Sequence, residues 1–213
     1  MFIVFEGIDG CGKTTQLDLL RAAFVQSRID SIFTREPGGT DFAEAIRSAV
    51  ISNSVHPTAA LLAMFAARHD HVDRVILPNL YRTVVCSRYI DSTYAYQVRG
   101  SRVLEELAFE LSKNLPHPDL TILLDLPVKE ARSRMQGREL DVFESKPEHW
   151  HSTVYDIYQS RVTARHFVVD ATLQPAEIHN LIVNRLCQFD YFKELIPYDD
   201  ATSDNKENTQ TEN

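Results

Sequence analysis

An α/β fold, a five-stranded parallel sheet flanked by helices, is predicted by three features of this sequence. Short apolar runs recur at 2–5, 31–34, 83–86, 121–126 and 166–169. Longer segments of helical periodicity separate them, at 16–27, 41–51, 58–80, 103–114, 128–136 and 147–164, with a last one at 175–189. Apolar strands that alternate with helices pack as a parallel sheet covered on both faces. The third feature is Gly7-Ile8-Asp9-Gly10-Cys11-Gly12-Lys13-Thr14, lying directly between the first run and the first helix. Ligands bind there in such sheets, beyond the carboxyl ends of the strands.

That first connection has the pattern G-x-x-x-x-G-K-[ST] in its required strand-to-helix context, which makes it a phosphate-binding P-loop. Gly7, Gly10 and Gly12 let backbone N–H groups turn inward around phosphate oxygens. Lys13 adds a point charge at the β/γ-phosphates, and Thr14 offers a hydroxyl to Mg²⁺. Thr15 follows just before the first helical segment, and Cys11 reads as a small residue of the loop. A nucleotide triphosphate and a magnesium ion are therefore expected.

After the second run comes Thr34-Arg35-Glu36-Pro37-Gly38-Gly39-Thr40, a tight loop at a position favoured for function. Arg68 stands within the apolar helical stretch Leu62-Ala63-Met64-Phe65-Ala66-Ala67. It either finds a partner in the interior or snorkels to the surface. The third run leads into Ser87-Arg88-Tyr89-Ile90-Asp91-Ser92-Thr93-Tyr94-Ala95-Tyr96-Gln97. Arg88 thus falls at a strand's carboxyl end, near the P-loop. Ser92, Thr93 and Gln97 on the following helix suit either a nucleobase edge or ordinary capping. The fourth run ends on Asp125, in the manner of a Walker-B aspartate or of a structural residue. Lys129, Arg132, Arg134 and Arg138 then follow, four cations within ten residues. They form either a solvated helix face or a closing lid that brings arginines onto transferring phosphates.

The 213 residues fit one domain with a sizeable core, and the 44% apolar and 24% charged shares are those of a globular protein. A net charge of −8 argues against a general binder of nucleic acid or of acidic membranes. Cys11, Cys86 and Cys187 form neither a disulfide framework nor a zinc pattern, so a reduced, cytoplasmic setting is expected. No targeting segment and no membrane span is read.

At these sites together the chain resembles the thymidylate kinases, P-loop enzymes that phosphorylate dTMP to dTDP with ATP and Mg²⁺. The resemblance covers about residues 1–190. Its specific parts are Phe-Glu-Gly-Ile-Asp-Gly-Cys-Gly-Lys-Thr-Thr-Gln, Arg-Glu-Pro-Gly-Gly-Thr, Arg-Tyr-Ile-Asp-Ser-Thr-x-Ala-Tyr-Gln and Gly-Arg-Glu-Leu-Asp. It implies a P-loop nucleoside-monophosphate-kinase fold with a short lid at about 132–146, ATP and dTMP as substrates, and a homodimer. It assigns Asp9 to the sugar 3′-hydroxyl, Arg47 to the acceptor phosphate and Arg68 to the thymine O4. Arg88 would bridge donor and acceptor phosphates, and Thr93 and Gln97, with Ser92 beside them, would meet the base edge. The P-loop carries no arginine at its variable positions. This resembles the bacterial type, whose lid supplies the catalytic arginine, here among Arg132, Arg134 and Arg138.

Two positions depart from the family pattern. Ser87 stands where an aspartate tied to the Mg²⁺ shell is usual, with Asp9, Asp91 and Glu36 as candidates to compensate. Met64 stands at the thymine-stacking position usually held by phenylalanine, with Phe65 next to it. Met64 motivates an alternative, a kinase for a 5-modified pyrimidine such as 5-hydroxymethyl-dUMP. Ser87 motivates another, a nucleotide-binding regulator without catalysis. Beyond the body, 191–200 is expected to be a partly ordered extension that docks through Tyr191, Phe192, Leu195, Ile196 or Tyr198. Residues 201–213 are expected to be disordered.

Overall fold

The computed structural model describes residues 1–137 and 139–197. Five strands, β1 (Phe2–Glu6), β2 (Ser31–Arg35), β3 (Thr83–Ser87), β4 (Leu120–Asp125) and β5 (His166–Asp170), pair in the order β2-β3-β1-β4-β5. Every pairing is parallel. The chain enters through the central strand, builds outward on one side through β2 and β3, then crosses to β4 and β5. Strands end on the polar residues Glu6, Arg35, Ser87, Asp125 and Asp170, so each apolar run delivers a polar side chain to the same rim of the sheet. The ladder reaches these ends, with Arg35 opposite Ser87 and Asp125 opposite Asp170.

Successive side chains of a strand point to opposite faces, and β1 feeds two cores in this way. Ile3 and Phe5 pack with Leu20, Phe24, Ile122, Val154 and Ile182. Phe2 and Val4 pack with Leu61, Phe65, Ile76, Val84 and Tyr89. The covering helices are α1 (Lys13–Gln26), α2 (Asp41–Ser52), α3 (Pro57–His71), α4 (Ile90–Thr93), α5 (Arg102–Ser112), α6 (Val128–Arg134), α7 (Glu148–Ser160) and α8 (Pro175–Leu186). Local chemistry sets their starts. The Thr40 hydroxyl caps α2 at Ala43 N–H, 3.1 Å away, and Gln174 with Glu177 forms a capping box on α8 behind Pro175.

The single helix expected at 58–80 divides. α3 ends at His71, and a π-helical turn (Val72–Ile76) and a 3₁₀ turn (Leu77–Asn79) follow. Pro78 has no N–H to continue an α-helical ladder. The helix expected after Arg88 divides too, into α4 and a π-helical turn, Tyr94–Val98, closed by Arg99 at φ +46°. Past α8, Phe192 is buried and stacks on Phe24 with centroids 5.4 Å apart, and Leu195 is buried beside it. Tyr191 and Ile196 remain exposed. Tyr198 and residues 201–213 lie outside the described residues. Among the described residues no helix is long and apolar enough to cross a membrane.

Candidate active site

The P-loop joins the central strand to α1, and α1 starts with no side-chain cap. Its first N–H groups are therefore open to an anion. Gly10 sits at φ +83°, and a Cβ there would lie 2.6 Å from the Ala131 carbonyl. Only glycine lets the loop pack this closely on α6. Lys13 is buried, and its ammonium donates to the carbonyls of Gly7 and Ile8, 2.9 Å each, with Cys11 Sγ at 3.5 Å. Burial, then the Arg88 charge, lowers the Lys13 pKa. Thr14 and Thr15 are exposed in the first turn. Gly10, Cys11, Gly12 and Thr15 line a cavity of about 380 Å³ with Arg134 and the 172–175 loop. Arg134 donates to Ala171 O at 2.9 Å. Arg132 is exposed on α6, and Arg138 lies outside the described residues.

Arg88 is the hub. It follows β3 in the left-handed region at φ +66°, a strained conformation for a side chain of this kind, of the sort found at functional sites. Its N–H donates to Phe5 O at 2.8 Å. Its guanidinium donates to Gly7 O (3.2 Å), Ser92 Oγ (3.1 Å), Tyr158 OH (3.0 Å) and Tyr96 OH (3.3 Å), and it pairs with Asp9. The other Asp9 oxygen accepts from Tyr96 OH at 2.7 Å. Burial pushes the Asp9 carboxyl up, but the Arg88 and Lys13 charges and the Tyr96 hydroxyl outweigh it and hold the pKa at about 2. The unfolded carboxyl titrates at 3.8, so this contribution is complete above that pH and disappears as pH falls through 2. Its size is about 2 kcal/mol. Acid denaturation curves of the wild type and Asp9→Asn are expected to differ by this amount, with the wild type alone losing it between pH 4 and pH 2.

A second cavity, of about 90 Å³, lies beside this hub, lined by Asp9, Arg47, Met64, Arg68, Arg88, Ser92, Thr93 and Gln97. These are the residues expected around an acceptor, with one exception. Phe65 turns into the core and lies under the Arg68 guanidinium, its centroid 5.2 Å from Cζ. In an α-helix, residues 64 and 68 share a face and residue 65 stands about 100° away. Arg68 is buried rather than snorkelling. It donates to Glu36 (2.6 Å), Thr93 Oγ1 (2.9 Å) and Tyr89 O (2.8 Å), which satisfies its charge. Glu36 also meets His71 Nδ1 at 3.0 Å. The Ser92 hydroxyl is committed to Glu6 and Arg88, so it supports the wall rather than addressing the cavity. Arg47 reaches from α2 to Pro37 O at 3.4 Å.

Tyr96, Asp141 and Phe143 also line this cavity and were not anticipated. Tyr96 stands in the quoted Arg88–Gln97 run, and its position next to Gln97 was the available signal. Phe143 comes from the segment after α6 and meets Tyr96 edge-on at 5.9 Å. It had no sequence signal, because its packing against the Met64 cluster is created only by the fold.

Magnesium is held mostly by substrate phosphates and water, with one or two hard oxygens from protein. Thr14, exposed at the open start of α1, is such a donor, and no cluster of three or more metal-ligating side chains occurs among the described residues. This donor set fits a magnesium ion carried by a nucleotide. Two of the candidates to replace an aspartate at Ser87 are engaged elsewhere. Glu36 is held by Arg68 and His71. Asp91 is held by Arg161 (2.5 Å) and His166 (3.0 Å), facing a different cavity of about 920 Å³. Asp125 accepts from Gln159 at 2.8 Å and ties α7 to β4.

Residues 5–182 match the sequence model of the thymidylate kinase family. The chain is 46% identical over 144 residues to a thymidylate kinase of a Wolbachia species from Brugia malayi, covering 65% of this chain and 70% of that one. It is 39% identical over 193 residues to one from Neisseria meningitidis, covering 85% and 93%. To one from Trichlorobacter lovleyi it is 38% identical over 201 residues, covering 85% and 94%. With an all-parallel sheet, a P-loop after its central strand and this match over most of its length, the chain belongs to the thymidylate kinase family.

Proposed function

We propose that this protein transfers the γ-phosphate of ATP to the 5′-phosphate of dTMP, giving dTDP and ADP. The observation that carries the reading is the single cavity that gathers Asp9, Arg47, Arg68, Arg88, Thr93 and Gln97 beside the P-loop, in a chain of this family. Phosphoryl transfer asks for two phosphates held in line and their charge neutralised, with little covalent chemistry from protein. Lys13 and the P-loop amides hold the donor phosphates, with Thr15 and Arg132 alongside. Arg47 and Arg88 hold the acceptor phosphate, and Asp9 the sugar. Arg68, Thr93 and Gln97 read the base edge, with Met64 against its face. Arg134 or Arg138 closes over the transferring group and excludes water. Thr14 would hold Mg²⁺, which when bound would neutralise charge on the donor phosphates.

The family match does not favour a 5-modified pyrimidine as substrate, or a regulator without catalysis. A homodimer accords with the resemblance, and exposed Leu62 on α3 and Phe109 on α5 are apolar side chains for it to cover. A coupled assay of ADP release over dTMP, dUMP and 5-hydroxymethyl-dUMP tests the substrate. ADP release that depends on dTMP and prefers it is expected; release indifferent to dTMP rejects the reading.

A further inference from the structure

Glu6 ends β1 on the face shared by Phe2 and Val4, and it is 1% exposed. A carboxylate in such a place is costly unless its oxygens are satisfied. Oε1 accepts from the backbone N–H of Tyr89 (2.7 Å) and of Ser92 (3.2 Å). These donors lie at the start of α4, whose N-cap residue supplies no side-chain acceptor. Oε2 accepts from the hydroxyls of Ser92 (2.6 Å) and Tyr158 (3.1 Å). Each hydroxyl has a single proton. With both protons drawn to Glu6, both oxygens turn lone pairs to Arg88 Nη1, at 3.1 and 3.0 Å. The two hydroxyl oxygens are themselves 2.8 Å apart. Without a common acceptor, one donates to the other and the second proton competes with the guanidinium.

We propose that Glu6 is a positioning residue: by taking the protons of Ser92 and Tyr158 it fixes both hydroxyls as acceptors for Arg88, and so holds the guanidinium at the wall of the acceptor cavity. This rests on the phosphoryl-transfer reading above. The groups that face Glu6 are Asp91 on α4, Arg88 and Cys86 at the end of β3, Lys13 on α1 and Tyr158 on α7. Asp91 is in turn paired with Arg161 and His166. Burial and then the Asp91 charge raise the Glu6 pKa, while Ser92, Arg88 and Tyr89 oppose them. A protonated Glu6 has a proton of its own to place and gives up one hydroxyl, so activity has an acid limb that belongs to this residue.

The test compares initial rates with ATP and dTMP, from acid to neutral pH, for the wild type, Glu6→Gln, and the double variant Ser92→Ala/Tyr158→Phe. Glu6→Gln keeps the volume but replaces one acceptor with a donor. It is expected to lower kcat by about 100-fold, the loss that comes from displacing a substrate-positioning group by about 1 Å. The KM for ATP should stay within about twofold, because Lys13 and the P-loop are untouched, and the acid limb should flatten. The double variant leaves Glu6 in place and should lower kcat likewise. It carries the test if Glu6→Gln does not fold. A folded Glu6→Gln with wild-type kcat and an unchanged pH profile overturns the proposal. So does a double variant with wild-type kcat. Wild-type turnover of dTMP reports on the proposed function alone, and the ratio of variant to wild type reports on Glu6.

Discussion

Lys13→Met is expected to lower phosphoryl transfer by about 1,000-fold or more, the scale seen when a preorganised charge at a transition state is removed. Methionine has a similar length and adapts its shape to a buried site, so the packing under the P-loop is kept. What disappears is the ammonium held against Gly7 O and Ile8 O, the position from which it would meet donor phosphates. Stability should not fall in parallel. Burial and the neighbouring Arg88 act against the charged form of Lys13 more than Cys11, Asp9 and Glu6 support it, so a neutral side chain relieves more tension than it adds by weakening the hold on Asp9. The measurement is kcat beside the thermal midpoint. Turnover near the wild-type value rejects the assignment of Lys13, and a large drop in the midpoint shows that its role is structural.

Arg88→Lys is the second large effect, and here activity and stability fall together. A guanidinium offers five N–H groups in a fixed plane, an ammonium three on a compact point. Of the five partners of Arg88, Gly7 O, Ser92 and Tyr158 meet Nη1, and Tyr96 and Asp9 meet Nη2. Lysine keeps the charge but cannot span them, so kcat should fall by about 100-fold or more. Arg88→Ala goes further. It leaves the Asp9 carboxylate without its ion partner at a site where the pair is largely shielded, and about 3 kcal/mol of stability should be lost. Urea denaturation of both variants beside steady-state kinetics reads the two effects. Equal stability of the wild type and Arg88→Ala rejects the view of Arg88 as the keystone of the loop.

The central strands β1, β3 and β4 were legible because they are buried on both faces, which leaves an apolar run. The edge strands β2 and β5 are only partly buried and showed through Ile32 and Phe33 and through Phe167, Val168 and Val169. The polar residue that ends each strand was less so: Arg35 and Asp170 belong to the ladder through backbone pairing, which composition does not report. The P-loop was legible because its chemistry is local. Arg68 was not settled by sequence, since its partner Glu36 arrives from a loop 32 residues earlier. The same fact removes Glu36 from the metal, and Asp91 is removed by Arg161, 70 residues away. Phe65 is adjacent to Met64 in sequence but on another helix face, in the core, which adjacency does not report. Glu6 lies just past the run expected at 2–5 and was given no role, because a buried acid is recognisable only from the donors that surround it.

The π-helical turn Tyr94–Val98 carries both Tyr96 and Gln97. Such a turn holds one residue more than the α-helical pattern accepts. Removing Tyr94 or Ala95 moves Tyr96 one position back along the helix, a turn of about 100°, which takes its hydroxyl away from Asp9. The chain length of this stretch is thus under constraint independently of which amino acids fill it. Loops elsewhere on the surface can gain or lose residues with little effect, whereas the deletion of Tyr94 or Ala95 is as damaging to the site as the replacement of a residue that lines it.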